Sequence, residues 1–393
     1  MSIKALVSKY QSIGLITSSL LVGAIITFIA LPFLTRLYSV HDFGQYGVAL
    51  AIVSVLSTIA NLRLDQAQLV ADDADQKSLI FEGSVFSFIF CILSAGVLSF
   101  FFDCSMILAI CFGVLSNTVL QSLYNYKFAH EAEVFCAALN IYRSLIVVVA
   151  QLSLPLLMSI SISLVNSYAV SSVIMLFTVL FYIAIHGLYQ VSWSSYKNYK
   201  DFIFSNTPHA LLNSFSHNLP YYVVSHFIGY QAVGFYSIVE RTLRVPINLM
   251  SQTIRQFFIR KFKHADSPRE ALKSSVFLSL ISLPFFALFF VLPESLYLMI
   301  FGQHWVGISL YFQILALGYW AVFCNPPSSA YLIAKRKSQQ LFKLQIVELI
   351  IKFTLFAALY MLIDNKMYML LAVPASLIFY NFAILYVVWR NPK

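Results

Sequence analysis

Charge is scarce in this chain. Only 10% of its 393 residues are Asp, Glu, Lys or Arg, and 60% are hydrophobic. An ordinary soluble domain carries about 25% charged residues, so the composition excludes one and identifies a polytopic membrane protein. The net charge of +9 would suggest nucleic acid in a soluble protein; here it asks which side of the membrane holds the positive residues, and no nucleic-acid partner is expected. No C-x-x-C pair occurs among the five cysteines, Cys91, Cys104, Cys111, Cys136 and Cys324. They read as small core hydrophobes, with no redox or metal role. The absence of G-x-x-x-x-G-K-[ST] argues against ATP hydrolysis in this chain. No long outer loop carries paired carboxylates or an Arg/His cluster, which counts against a membrane glycosyltransferase or polymerase. No cofactor is expected, and the protein does not read as an enzyme. An A-x-A site is missing after the first apolar stretch, so that stretch reads as a retained span. The first span also has no acidic residue.

What is present is a set of twelve apolar runs of spanning length, near residues 12–34, 44–63, 79–102, 105–126, 138–159, 164–186, 207–228, 232–257, 274–296, 306–333, 341–363 and 367–389. No loop between them is long enough for a soluble domain. With the N-terminus in the cytoplasm, most of the 25 Lys and Arg fall on the cytoplasmic side, including the basic run 255–273 and Lys335, Arg336 and Lys337. Only Arg36 and Lys366 fall outside, and Arg241, Arg244 and Lys352 lie at membrane depth. The positive-inside rule then puts both termini in the cytoplasm. Trp193, Trp305 and Trp389 are expected as interfacial anchors.

The rest of the chain is read around residues 233–257, VGFYSIVERTLRVPINLMSQTIRQF. Ser237, Glu240, Arg241, Arg244, Asn248, Ser251, Gln252 and Arg255 recur at helical spacing on one face, opposite Ile238, Val239, Leu243, Ile247 and Ile254. At about 1.5 Å per residue the polar face runs roughly 27 Å, nearly a hydrocarbon thickness.

An internal repeat emerges at an offset of 190. Thr35-Arg36-Leu37-Tyr38 and Phe43-Gly44-Gln45-Tyr46 pair with Ser225-His226-Phe227-Ile228 and Val233-Gly234-Phe235-Tyr236. The same offset gives the second span a polar face of Ser54, Ser57, Thr58, Asn61, Asp65 and Gln68, and sets Asp65 opposite Arg255. Six spans per half is an even number, so the halves lie parallel. The expected fold is all-α: twelve transmembrane helices in two parallel-repeat six-helix bundles, residues 1–190 and 191–393, around a central cavity.

A charge at bilayer depth costs about 2.5–3.5 kcal/mol, so Glu240, Arg241 and Arg244 must face the protein interior or a wet cavity. Glu240 and Arg244 are spaced i,i+4 in the favoured order and can neutralise each other. Two readings follow: a structural salt bridge, or a cavity lining with net positive charge. The second accounts better for eight polar residues in register. The candidate substrate cavity comprises Arg241, Arg244, Glu240, Asn248, Ser251, Asn213, His217 and Asn218; for the last three, interhelical hydrogen bonding is an equal alternative. Asp65 and Arg255 form a candidate gate at the cytoplasmic ends of the two polar faces. Arg63, Glu348 and Lys352 form a secondary set, with Glu348 and Lys352 another i,i+4 pair suited to self-neutralisation. Asn325-Pro326-Pro327 should kink the tenth span.

These residues resemble a family. The block from Leu31-Pro32 through Thr35-Arg36-Leu37-Tyr38, Phe43-Gly44, Tyr46, Leu62-Arg63 and Asp65 looks like the opening of bacterial polysaccharide repeat-unit flippases. These are the O-antigen (Wzx-type) exporters of the multidrug/oligosaccharidyl-lipid/polysaccharide, MATE-like superfamily. Leu211-Leu212-Asn213, Leu219-Pro220, Val233-Gly234-x-Tyr236, Arg241 and Phe301-Gly302-x-x-Trp305 continue the likeness over nearly the whole chain. The chain departs from the family in its very short outer loops and in Asp65, where members often carry Glu. The resemblance implies two six-helix bundles around a central cavity in the bacterial inner membrane. It also implies transfer of undecaprenyl-pyrophosphate-linked oligosaccharide from the inner to the outer leaflet, in lipopolysaccharide O-antigen or capsule biosynthesis. The partners it implies are that polyprenyl-pyrophosphate-linked oligosaccharide, membrane lipids and the polysaccharide polymerase and chain-length machinery.

The charge pattern agrees with an anionic cargo, because Arg suits phosphate oxygens. Outward movement of an anion is downhill in an inside-negative potential by about 2.3 kcal/mol per charge per 100 mV. A cation-coupled multidrug antiporter of the same superfamily is the alternative; it would favour an acidic cavity. A membrane-embedded glycosyltransferase or polymerase is the third.

Overall fold

The computed structural model describes residues 3–157, 162–193, 195–200, 203, 207–264 and 267–390. Every long element among them is an α-helix, and no strand occurs among the described residues. By compactness the chain divides into Met1–Leu219 and Pro220–Lys393, a division that falls inside one helix.

The first unit holds α1 (Ile3–Leu37), α2 (Val40–Ala60), the short α3 (Leu64–Ala67), α4 (Asp73–Leu98), α5 (Cys104–Ala129), α6 (Glu133–Leu157), α7 (Leu164–Ile185), the short α8 (Ser195–Asn198) and the first part of α9 (Thr207–Phe227). The second holds the rest of α9, then α10 (Tyr230–His264), α11 (Pro268–Val291), α12 (Glu294–Phe301), α13 (Ile308–Cys324), α14 (Pro326–Ala334), α15 (Ser338–Leu362) and α16 (Ala372–Arg390). Among the described residues, ten candidate spans are long and apolar enough to cross a membrane, counting 308–334 as one despite its break. The other two of the twelve, α9 and α10, have spanning length, at 21 and 35 residues, but carry the polar faces.

The same pairings occur in each unit. In the first, α5 is the hub, packed on α2, α4 and α7; α6 packs on α7 and on α1. In the second, the equivalent α13 packs on α10, α11 and α16, and α15 packs on α16. The α9 counterpart of the α1–α6 contact is Phe227 against Tyr360, ring centroids 4.7 Å apart. Two hub glycines permit the close approach. A Cβ on Gly113 would lie 2.8 Å from the Tyr168 hydroxyl, and one on Gly318 would lie 2.6 Å from the Pro374 backbone. Small residues at helix crossings are what packing in lipid requires, since lipid tails offer no hydrophobic gain for association.

Local sequence explains the breaks. Ser39 and Asp42 form a reciprocal capping box that starts α2. Pro326 and Pro327 supply no N–H to the preceding turn, and the tenth span breaks there into α13 and α14. Ser275 and Ser328 hydroxyls meet at 2.8 Å beside that break, and Asn325 donates to Asn381 at 2.6 Å. Two expectations are corrected. Trp305 is fully buried, edge-on to Phe235, and is no interfacial anchor, whereas Trp193 and Trp389 are exposed. Cys91, Cys136 and Cys324 are buried, but Cys104 is exposed at the start of α5.

Candidate functional site

Helix α10 is continuous for 35 residues, about 52 Å. Its apolar residues Ile238, Val239, Leu243 and Ile247 are buried. On the other face, Glu240 lies ten residues from the helix start, about 15 Å along the axis. Its carboxylate is bonded inside the second unit: Arg244 Nη2 reaches Oε1 at 2.7 Å, Tyr319 donates to Oε1 at 3.3 Å, and the Tyr221 hydroxyl donates to Oε2. Tyr236 packs edge-on against Tyr221 at 5.0 Å. The carboxylate is 6% exposed and the Arg244 side chain 28%. Glu240 is thus bonded in the interior of the second unit, and Arg244 remains partly exposed. Arg241, adjacent in sequence, is half-buried.

The remaining predicted residues distribute unevenly. Ser251 is buried with its hydroxyl unpaired, and Arg255 is exposed. The side chains of Asn248 and Gln252 lie outside the described set. On α9, Asn218 donates to Ser54 on α2 at 3.2 Å and to the Ser214 carbonyl at 2.8 Å, which is interhelical hydrogen bonding. Asn213 and His217 are exposed. On α15, Glu348 and Lys352 are both buried and meet at 2.6 Å.

The polar face of the second span does not continue as one helix. Chain helicity stops at Ala60, and Leu62 and Arg63 take left-handed backbone with φ of 54° and 61°. Asn61 Oδ1 accepts from Arg63 N at 3.1 Å and steadies the turn. Non-glycine residues in this region cost about 1–3 kcal/mol each, so packing must hold them. Asp65, on α3, is 4% exposed, and Asn125 of α5 donates to its backbone carbonyl at 2.7 Å. Burial pushes its carboxyl above the ordinary carboxylate range, against the opposing effects of Arg63, Asn61 and the local backbone. Its offset partner Arg255 sits within an unbroken helix, so the two repeats differ here.

Sequence reading missed the tyrosines. Tyr221 and Tyr319 lie in apolar runs and count there as hydrophobic; their hydroxyls become visible only beside Glu240. Among the described residues no group of His, Cys, Asp or Glu is placed to hold a metal ion.

Residues 33–310 match the family described as Polysaccharide biosynthesis protein. The chain belongs to that family. No protein of curated function matches its sequence. The chain is similar in fold to the MATE multidrug transporter DinF-BH, at 14% identity and TM-score 0.59, covering 96% of this chain and 95% of that one. It is also similar to an outward-facing multidrug resistance MATE family transporter of the MOP superfamily, at 12% identity and TM-score 0.57 over 96% and 94% of the two chains. A eukaryotic MATE transporter, AtDTX14, shares 9% identity and TM-score 0.54 over 98% and 96%. At these identities the likeness establishes the fold. The chain is therefore a multi-pass membrane protein with a MATE-like fold of two repeats.

Proposed function

We propose that this protein is a flippase. It moves an undecaprenyl-pyrophosphate-linked oligosaccharide, an O-antigen or capsule-type repeat unit, from the cytoplasmic to the periplasmic leaflet of a bacterial inner membrane, with both termini in the cytoplasm. Alternating access through a cationic passage is the mechanism. Family membership and the MATE-like fold support the class. The observation that carries the cargo assignment is the bonding of Glu240. Its carboxylate is taken up by Arg244 and two tyrosine hydroxyls, while the arginines are the more exposed groups. Counting Glu240, Arg241 and Arg244 together leaves one net positive charge at membrane depth. A pyrophosphate needs that sign, and the guanidinium fork suits its oxygens.

The multidrug antiporter reading requires a carboxylate offered to a cationic drug, and Glu240 is already engaged. The two readings separate in cells. Arg241→Ala with Arg244→Ala should abolish surface polysaccharide while leaving the protein in the membrane and drug tolerance unchanged. Normal polysaccharide in the double variant contradicts the flippase reading.

Asp65 and Arg255 stay in this proposal as a gate pair. An Asp65 buried in its own unit must leave Asn125 to form such a pair. Asp65→Arg and Arg255→Asp should each impair export, and the double swap should recover it.

A further inference from the structure

The turn between α2 and α4 holds buried polar atoms with no hydrogen-bond partner: Asp65 Oδ1, both side-chain amide atoms of Gln68, and Arg63 Nε. Gln68 is fully buried one turn after Asp65. We propose that Asp65 is a proton-binding site, and that its proton holds the 61–68 turn docked on α5. The inference goes beyond the flippase reading and stands whatever the cargo is.

The geometry favours a neutral carboxyl. Gln121 Nε2 donates to Asn125 Oδ1 at 3.0 Å, which fixes that amide with its Nδ2 toward Asp65. From there Nδ2 donates to the Asp65 backbone carbonyl at 2.7 Å and reaches Oδ2 only at 3.5 Å. The carboxylate otherwise has only the neutral donors Asn61 and the local backbone amides, and Oδ1 has no partner. A buried anion so held is poorly stabilised, whereas a protonated carboxyl needs only an acceptor for its O–H. Gln68 Oε1 is an unsatisfied acceptor one turn away.

Among the described residues, charge compensation comes from Arg63 on the same turn. Lys77 on α4 and Lys197 and Lys200 at α8 are not among the groups that act on Asp65, and several other ions on the surrounding elements are engaged elsewhere. On α4, Asp75 accepts from the hydroxyls of Ser195 and Tyr199, and Glu82 accepts from the Ser195 and Tyr196 amides. Asp73 faces His130, and Lys127 at the end of α5 lies over the rings of Phe135 and Tyr182.

The left-handed Leu62 and Arg63 make the turn a catch. Their backbone is held against its own preference by docking, so weakening the Asp65 contact lets the turn relax. The proton binds the docked form more tightly than the free one. Docking is therefore complete at low pH and is lost as pH rises through the docked-state pKa.

Hydrogen exchange on the intact protein in nanodiscs tests this. After correction for intrinsic chemistry, amides of residues 62–66 should open more at pH 8 than at pH 5, by about tenfold for each unit by which the docked-state carboxyl pKa lies above about 5. Asp65→Asn, an isosteric neutral mimic, should stay protected at both values. Infrared difference spectra with labelled aspartate, which need no variant, should show a protonated buried carboxyl in the wild type that Asp65→Asn lacks. Equal opening at both pH values, a pH effect that persists in Asp65→Asn, or no protonated aspartate band would each overturn the proposal.

Discussion

Glu240 and Arg244 meet at 2.7 Å one turn apart on α10, with the carboxylate nearly sealed and the guanidinium partly open. The pair is asymmetric: the anion is held in the second unit by tyrosines from α9 and α13, and the cation stays partly exposed. In the proposed flippase the anion is the support and the cation the working group.

Removing the support should cost stability first. Glu240→Ala removes the carboxylate that pairs with Arg244, a change worth about 3–5 kcal/mol for a fully buried pair, and less here because Arg244 retains solvent. A drop of about 2–3 kcal/mol is expected, read as a lowered thermal midpoint in detergent. Glu240→Gln with Arg244→Gln should recover part of it, since no lone charge remains.

The tyrosines should act through the same carboxylate. Tyr221→Phe removes a hydrogen bond to a charged group, worth about 1.5–3 kcal/mol. Tyr319→Phe removes a longer one and should cost less. Equal midpoints for wild type and Tyr221→Phe would remove the hydroxyl from the anchor.

At the hubs, Gly318→Ala should destabilise the second unit by about 1–3 kcal/mol, because the new methyl meets the Pro374 backbone. Gly113→Ala should be milder, since it meets the ends of the Tyr168 and Val53 side chains. Thermal midpoints of the two variants give the order directly, and the reverse order contradicts the packing.

Much of the architecture was legible in the sequence. Apolar runs mark membrane spans because lipid demands them, and the offset of 190 foreshadows two units that share one set of pairings. The ion pair on α10 followed from i,i+4 spacing alone. The break after Ala60 was not legible, because Leu62 and Arg63 are neither glycine nor proline and only packing forces their left-handed backbone. Burial of Trp305 was hidden for a related reason: a tryptophan near a span end is usually interfacial, and Phe235 claims this one. The Tyr221–Glu240–Tyr319 cluster joins residues up to 98 positions apart, beyond any local pattern.

The charge bias predicts the topology. Reporter fusions at Asn198 and Asp266 should report cytoplasm, and fusions at Val40, Tyr230 and Asn365 the outer side. A reproducible reversal at one of them would make the halves inverted.

The most direct test of the flippase reading is transfer itself. Purified protein in liposomes containing a fluorescent polyprenyl-pyrophosphate oligosaccharide should move the label between leaflets, measured by an impermeant quencher. Arg241→Ala with Arg244→Ala should reduce the rate by at least about tenfold, the equivalent of 1.4 kcal/mol, and Arg244→Lys should keep an intermediate rate because it retains a point charge. Wild-type transfer by the double variant, or none by the wild type while it moves a cationic drug, contradicts the cationic passage.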